Sequence, residues 1–311
     1  MHRISMVAQK TPRVVPPGFW FDDEVSFNDV QGFGSERPIV VLDSGVGGLT
    51  VVRQLERLIP GASILYVVDN DWYPYGNKPG SAVAGRVQQL FDQLCNQVKP
   101  SAFVLACNTA SIALIEHGFE PRNHHVFSVV PLIEEALEVS VSKQIVLLAT
   151  PGTVKSDYIC HKVAGARMHA NLWSMAAQSL VTLSERKLSG QKPDFKGFSD
   201  WVSDQLTAKE RLSVDTVILG CTHFPHLIDE LNEIFPSVEH WVDPANKIAL
   251  QVFALTGARL ASTHRPAKAA IFTRQRGASH YQRVLRKNGF ISSWSYILSA
   301  LEGGLGRGVT K

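Results

Sequence analysis

Apolar residues fall along this chain in two rhythms. Continuous runs of strand length occur at 38–42, 63–68, 103–106, 126–130, 145–149 and 216–220, as expected of parallel strands covered on both faces, and the mixed 238–242 segment also has strand length. Between them the period changes to that of a helix. Leu49, Val52, Leu55 and Ile59 share one face, and Val87, Leu90, Phe91, Leu94 and Val98 form a second stripe after Ser81, read as its N-cap. Further helices are expected at 132–139, 177–188, 248–255 and 276–289, with a polar surface helix over 192–211. The 238–242 segment reads as the last strand. This alternation predicts an α/β fold: two similar doubly wound α/β domains, with mainly parallel sheets facing across a central cleft.

Polar residues collect where the apolar runs stop. The 103–106 run ends at Cys107-Asn108-Thr109-Ala110-Ser111, and the 216–220 run ends at Cys221-Thr222-His223-Phe224-Pro225. This approximate duplication is the one internal symmetry in the chain. In open α/β sheets ligands sit beyond the carboxyl ends of strands, where helix N-termini offer unpaired N–H groups. A thiol at such a place is expected to have a lowered pKa and to act as base or nucleophile. Two strand-end cysteines on similar supports suggest a two-sided active site.

Other strand ends carry the same signal. Asp43-Ser44-Gly45-Val46-Gly47-Gly48 follows the first run, and its glycines would let backbone N–H groups approach a carboxylate or phosphate. A polar and aromatic loop containing Pro74-Tyr75-Gly76 follows the second, and Thr150 with Thr153 follows the 145–149 run. Glu185 lies on the 177–188 helix, where a lone glutamate most often faces solvent.

Composition narrows the function classes. A chain of 311 residues with 45% apolar content is long enough for two domains of ordinary size. A net charge of +3, without a basic run interleaved with aromatics, gives no case for nucleic acid. The four cysteines have no metal-site spacing, so no metal is expected and a reduced, cytoplasmic setting is. Cys95 and Cys160 read as structural. No run approaches the ~18 residues of a membrane span, and no signal-peptide core precedes Lys10 and Arg13. Residues 1–36 form an N-terminal extension whose Phe19-Trp20-Phe21 is either a tether or a docking element, and 303–311 reads as a flexible tail.

Together these motifs resemble the glutamate racemases of the aspartate/glutamate racemase superfamily. The matching blocks are 43–48, Pro74-Tyr75-Gly76, Ala106-Cys107-Asn108-Thr109-Ala110, Ala149-Thr150 with Thr153, and 220–225, in family order over most of the chain. The resemblance implies a cofactor-independent isomerase that interconverts L- and D-glutamate and supplies D-glutamate for peptidoglycan. It implies a discontinuous first domain, 37–131 plus 242–302, carrying Cys107, and a second, 132–241, carrying Cys221. Cys221 would take the α-proton of L-glutamate and Cys107 that of D-glutamate, assisted by His223 and Asp43 respectively. Asp43, Ser44, Pro74, Tyr75, Gly76, Asn108, Thr109, Thr150, Glu185, Thr222 and His223 would hold the substrate, with Glu185 near its ammonium group.

The extension, longer than in minimal members, brings in UDP-N-acetylmuramoyl-alanine as a candidate activator, and a homodimer is a candidate assembly. Asp243-Pro244 departs from the family's Asp-Ser, so no contact from that serine carries over. The alternatives are an aspartate racemase or other acid racemase of the superfamily, or a non-catalytic binding protein on the same fold, such as a partner of DNA gyrase. A pyridoxal-phosphate racemase would need a Schiff-base lysine, and Lys78 and Lys99 have no phosphate-site signature beside them.

Overall fold

A computed structural model describes residues 37–119, 121, 124–256, 266–274, 277–290 and 292–295. The N-terminal extension and the 303–311 tail lie outside the described residues. The chain builds β1 (Ile39–Asp43), α1 (Leu49–Leu58), β2 (Ile64–Val68), α2 (Gly80–Val98), β3 (Ala102–Leu105), α3 (Asn108–Glu116) and β4 (Val126–Ser128). It continues with α4 (Ile133–Val139), β5 (Gln144–Ala149), α5 (Pro151–Val154), α6 (Asp157–Ala166), β6 (Asn171–Ala176) and α7 (Gln178–Leu188). Then come α8 (Lys196–Gln205), α9 (Ala208–Ser213), β7 (Thr216–Gly220), α10 (Ile228–Ile234) and β8 (His240–Val242). The last described elements are α11 (Ala245–Thr256), β9 (Lys268–Phe272), α12 (Ala278–Lys287) and β10 (Ser292–Ser295).

Among the described residues the strands form two parallel sheets, ordered β10-β9-β2-β1-β3-β4 and β6-β5-β7-β8. Every pairing is parallel; β1 is central in the larger sheet, with Val40 opposite both Leu65 and Phe103. Its five residues are all buried, which explains the unbroken apolar run. One face of the larger sheet packs on α1, α11 and α12 through Leu49, Val52, Leu55, Ile248, Val252 and Leu285. The other packs on α2 and α3 through Val87, Leu90, Phe91 and Leu114. The smaller sheet is covered on one face by α7, α8 and α10 and on the other by α4 and α6. Each buried Leu, Val or Phe of this kind contributes ~1.5–3 kcal/mol, so cutting Leu55, at 0% exposure, back to alanine costs about 2–5 kcal/mol.

Three strands depart from the sequence reading. β6 is a sheet edge of mixed composition, Asn-Leu-Trp-Ser-Met-Ala, with exposed ends and no continuous apolar run. β9 and β10 follow β8, so 238–242 is not the last strand; the chain returns to the larger sheet, where β9 pairs with β2. Lys268 and two alanines at the start of β9 masked it. Ser81 is not a cap: α2 begins one residue earlier after Pro79, with no side-chain cap bond. The 192–211 segment is two helices, divided at Thr207, which with Glu210 forms a capping box. Cys160 is exposed on α6, its thiol facing Val154 O at 3.5 Å, and is not part of the packed interior.

Candidate active site

The ends of β1, β3 and β7 bring the strand-end residues together across the two sheets. Cys107 follows β3 and stands at the N-cap of α3, where its carbonyl accepts the first helical bond from Ser111 N. Cys221 follows β7, and its carbonyl accepts from Phe224 N as the chain turns. The two residues are 7% and 8% exposed, so both thiols are nearly removed from solvent.

Asp43 lies between them. Its carboxylate accepts from Ser44 N and Gly48 N, both at 2.6 Å, and from Thr222 Oγ1 at 3.3 Å. Ser44 Oγ in turn sits 4.0 Å from Cys107 Sγ. Asp43 therefore touches the Cys107 side through Ser44 and the Cys221 side through Thr222. Burial raises its pKa, against the opposing pull of the His223 charge and the backbone N–H groups. Two N–H groups of the glycine-rich turn, those of Ser44 and Gly48, are thus directed at the protein's own carboxylate.

The glycines serve another purpose as well. A Cβ at Gly47 would lie 2.5 Å from His223 Nδ1, and one at Gly45 would lie 2.8 Å from Glu185 Oε1. The turn from the larger sheet can thus seat the charged residues of the smaller one.

On that side, Cys221 Sγ is 3.8 Å from His223 Nδ1, and His223 Nε2 is 2.9 Å from Glu185 Oε1. Burial would lower the His223 pKa, but its bonds to Cys221 and Glu185 outweigh it and hold the imidazole protonated well above its ordinary range. For Glu185 burial acts upward and is likewise outweighed, by His223 and by His280 Nε2 at 3.0 Å from Oε2, leaving the carboxyl at about 2. Glu185 is therefore a buried anion with both oxygens on histidines, rather than the solvated glutamate its type usually is.

The Cys107 thiol reverses the expectation of a lowered pKa. Burial first, and then the charge of Asp43, push it far up, and the N–H of Ala110 and the Ser44 hydroxyl offset only part of this. A helix N-terminus favours thiolate only where desolvation and a neighbouring carboxylate do not prevail.

The remaining predicted residues form a polar wall at the ends of β2, β3 and β5. Thr109 Oγ1 meets Thr150 Oγ1 at 2.9 Å and Thr153 Oγ1 at 3.4 Å, joining α3 to α5. Gly76 packs so closely that a Cβ would lie 2.7 Å from both Thr150 Cβ and Gln178 Oε1. The Tyr75 hydroxyl is committed to Asp69 Oδ2, to which it donates at 2.5 Å, so this tyrosine offers backbone rather than its hydroxyl. Pro74, just before it, is joined to Tyr73 by a cis peptide bond. Asn108 is 2% exposed, yet neither its Oδ1 nor its Nδ2 has a protein partner. A buried amide with all its capacity unspent, next to Cys107, is suited to a polar ligand.

Sequence reasoning did not find His280, Tyr66 or Tyr73. Tyr66 is fully buried on β2 and donates to Gly45 O at 3.1 Å; its place in an apolar strand gave it the appearance of core. Tyr73 stacks at 6.3 Å from His223, and its apolar partner Tyr281 stacks at 6.2 Å from Tyr73. His280 lies on a helix with no motif around it, so no signal short of the fold pointed to it.

The comparisons with known proteins agree with this geometry. The sequence profile described as Asp/Glu/Hydantoin racemase matches residues 41–249. The glutamate racemase of Bartonella henselae is 32% identical over 257 residues, covering 81% of this chain and 94% of that protein. That of Brucella canis is 33% identical over 225 residues, covering 72% and 81%. Among solved structures, Escherichia coli glutamate racemase in complex with L-glutamate and the activator UDP-MurNAc-Ala aligns with a TM-score of 0.74 and 31% identity, over 84% of this chain and 98% of that one. Glutamate racemase from Thermus thermophilus in complex with beta-chloro-D-alanine gives 0.65 and 28%, over 86% and 98%. By profile, identity and fold, the chain belongs to the Asp/Glu/hydantoin racemase family, with glutamate racemases as the relatives it matches, and is an amino-acid racemase.

Proposed function

We propose that the chain interconverts L- and D-glutamate by a two-cysteine proton transfer. The observation that carries the reading is the pair of buried strand-end thiols, one from each sheet, Cys107 beside Ser44 and within the field of Asp43, Cys221 beside His223. Racemisation removes the α-proton from one face of the substrate and returns a proton to the other, which calls for two acid/base groups on opposite sides. The environments are unequal. A protonated His223 stands beside Cys221, while burial and then Asp43 keep Cys107 as a thiol. This state is set for L-glutamate: Cys221 takes the proton and Cys107 delivers one from the other face. The reverse direction uses the opposite assignment.

The substrate brings charge of its own to the site. Its ammonium group offsets Asp43, which eases ionisation of Cys107. Its carboxylates find donors in Asn108, Thr109, Thr222 and the backbone at Gly76, and Ser44 and Thr150 complete the polar lining. Near-complete burial keeps these interactions strong and holds the α-carbon between the sulfurs.

The test is incubation with L-glutamate in D2O without added cofactor, following circular dichroism and α-deuterium. Loss of optical activity with deuterium uptake is expected. Cys107→Ser and Cys221→Ser should each lower the rate by about 10²–10⁴, and near-full activity in either variant overturns the two-cysteine account. D-Glutamate made in this way would serve peptidoglycan synthesis. By analogy with the Escherichia coli relative, UDP-N-acetylmuramoyl-alanine is proposed as an activator, and equal rates with and without it would refute that. Among the described residues no helix is long and apolar enough to cross a membrane.

A further inference from the structure

One polar contact of the site has no place in the two-cysteine chemistry. The Glu185 oxygen that faces away from His223 meets His280 Nε2 at 3.0 Å. His280 comes from α12, which packs on the larger sheet, whereas Glu185 and His223 belong to the half built on the smaller one. Its side chain is 33% exposed, against 10% for Glu185 and 3% for His223. Four groups therefore stand in unbroken series from a buried thiol to solvent. The steps are Cys221 Sγ to His223 Nδ1 at 3.8 Å, His223 Nε2 to Glu185 Oε1 at 2.9 Å, and Glu185 Oε2 to His280 Nε2 at 3.0 Å.

Such a series answers a need that two-base racemisation creates. After L-glutamate leaves as D-glutamate, Cys221 holds the proton it removed and Cys107 has given one up. Before another L-glutamate can react, a proton must leave Cys221 and one must reach Cys107. Neither thiol has ready access to water, and the groups beside Cys107, Ser44 and Asp43, are 5% and 0% exposed. Only on the Cys221 side do the described contacts lead outward.

We propose that the Cys221–His223–Glu185–His280 series is the route by which the Cys221 proton exchanges with solvent between turnovers, with His280 as its solvent-side end. The proposal rests on the two-cysteine reading above. His223 is already an imidazolium when Cys221 receives the substrate's proton, so the Nε2 proton leaves first: it passes to the Glu185 carboxylate at Oε1, the neutral carboxyl turns and hands that proton to Nε2 of His280 in its Nδ1–H form, and His280 releases its Nδ1 proton to water. The neutral His223 ring then turns its free nitrogen to Cys221 Sγ and takes the thiol proton, restoring thiolate and imidazolium. The net change is one proton moved from thiol to solvent, with nothing oxidised or reduced; the same steps reversed reload Cys221 after turnover of D-glutamate.

The other titratable groups around the series are poor substitutes. Tyr73 and Tyr281 stack beside His223 and His280, and burial pushes both phenols well above their ordinary range, so they keep their protons. His226 meets Gly47 O at 3.2 Å, and burial and the His223 charge bring it down to about 3, leaving it neutral. Asp43 has no exposed neighbour among its hydrogen-bond partners: Ser44, Gly48, Tyr66 and Thr222 are all buried.

The test is His280→Gln and His280→Ala in the full chain, with steady-state kinetics in both directions. Resetting the free enzyme limits kcat but not kcat/KM, which starts from enzyme already in the competent protonation state. The expected result is a fall in kcat of ~10-fold or more in both directions, with kcat/KM within about twofold of the parent. Added imidazole should restore kcat in folded His280→Ala by serving as a diffusible end of the series. A parallel fall of kcat and kcat/KM would instead make His280 a support for Glu185 and overturn the proposal. So would unchanged kcat, or a folded His280→Ala whose kcat does not respond to imidazole. Failure of the underlying reading shows separately, as a parent protein that does not racemise glutamate or an active Cys221→Ser.

Discussion

Replacing Arg86 by methionine removes the cation from a closed polar cluster beneath the Tyr75–Gly76 loop. Asp69, fully buried at the end of β2, accepts four side-chain bonds. Arg86 gives two, to Oδ1 at 2.7 Å and Oδ2 at 3.0 Å, and Tyr75 and Thr273 give one each at 2.5 Å. The Arg86 and Asp69 side chains are 8% and 0% exposed, so methionine leaves a carboxylate in the interior with two neutral donors. Breaking a buried pair from one side costs about 3–5 kcal/mol. At ~2–4 °C per kcal/mol this is a fall in Tm of roughly 6–20 °C. Thermal melts and equilibrium urea unfolding measure it. Asp69→Asn in the same chain removes the stranded charge, so the double variant should recover part of the loss. Because Asp69 also anchors the Tyr75 hydroxyl, the single variant should raise KM for glutamate. A drop in Tm below about 3 °C, or a double variant no more stable than the single one, refutes the reasoning.

Two further outcomes follow from the histidine side of the site. Gly47→Ala sets a methyl group 2.5 Å from His223 Nδ1 and 2.8 Å from its backbone N, so the ring must move off Cys221; kcat should fall by about 10²-fold with far-UV circular dichroism unchanged, and a kcat within twofold would show that the ring position is not critical. Glu185 has its pKa lowered to about 2 from 4.5, so its stabilising contribution is present above pH 4.5 and is lost as pH falls through 2. The advantage of the parent over Glu185→Gln in urea titrations should therefore shrink by on the order of 3 kcal/mol across that window, and parallel curves for the two proteins would contradict the assignment.

The sequence by itself determined the parallel α/β architecture, because strands buried on both faces have to be continuous apolar runs. It also singled out Cys107 and Cys221, since small polar residues directly after such runs mark the ligand-binding ends of a sheet. The resemblance added Asp43 and His223, and the fold brings all four together. Edge strand β6 with its exposed ends, the serine-rich β10 and the alanine-rich β9 escaped notice because none of them carries an unbroken run of large apolar residues.

Electrostatic character belonged to the tertiary structure alone. Whether a strand-end thiol ionises depends on the balance of desolvation, carboxylate and imidazolium around it, and for Cys107 that balance is the reverse of what its helix N-terminus promised. Tyr75 is among the substrate residues that the resemblance implies, and its hydroxyl is committed to Asp69 by a contact that only packing creates. Glu185 became a buried anion because His223, from the next strand end, and His280, from a helix on the other sheet, converge on its two oxygens. Local sequence fixes which residues stand at the ends of strands. Long-range packing decides which charges those residues meet, because energies between ionisable groups depend on separation in space and on access to water.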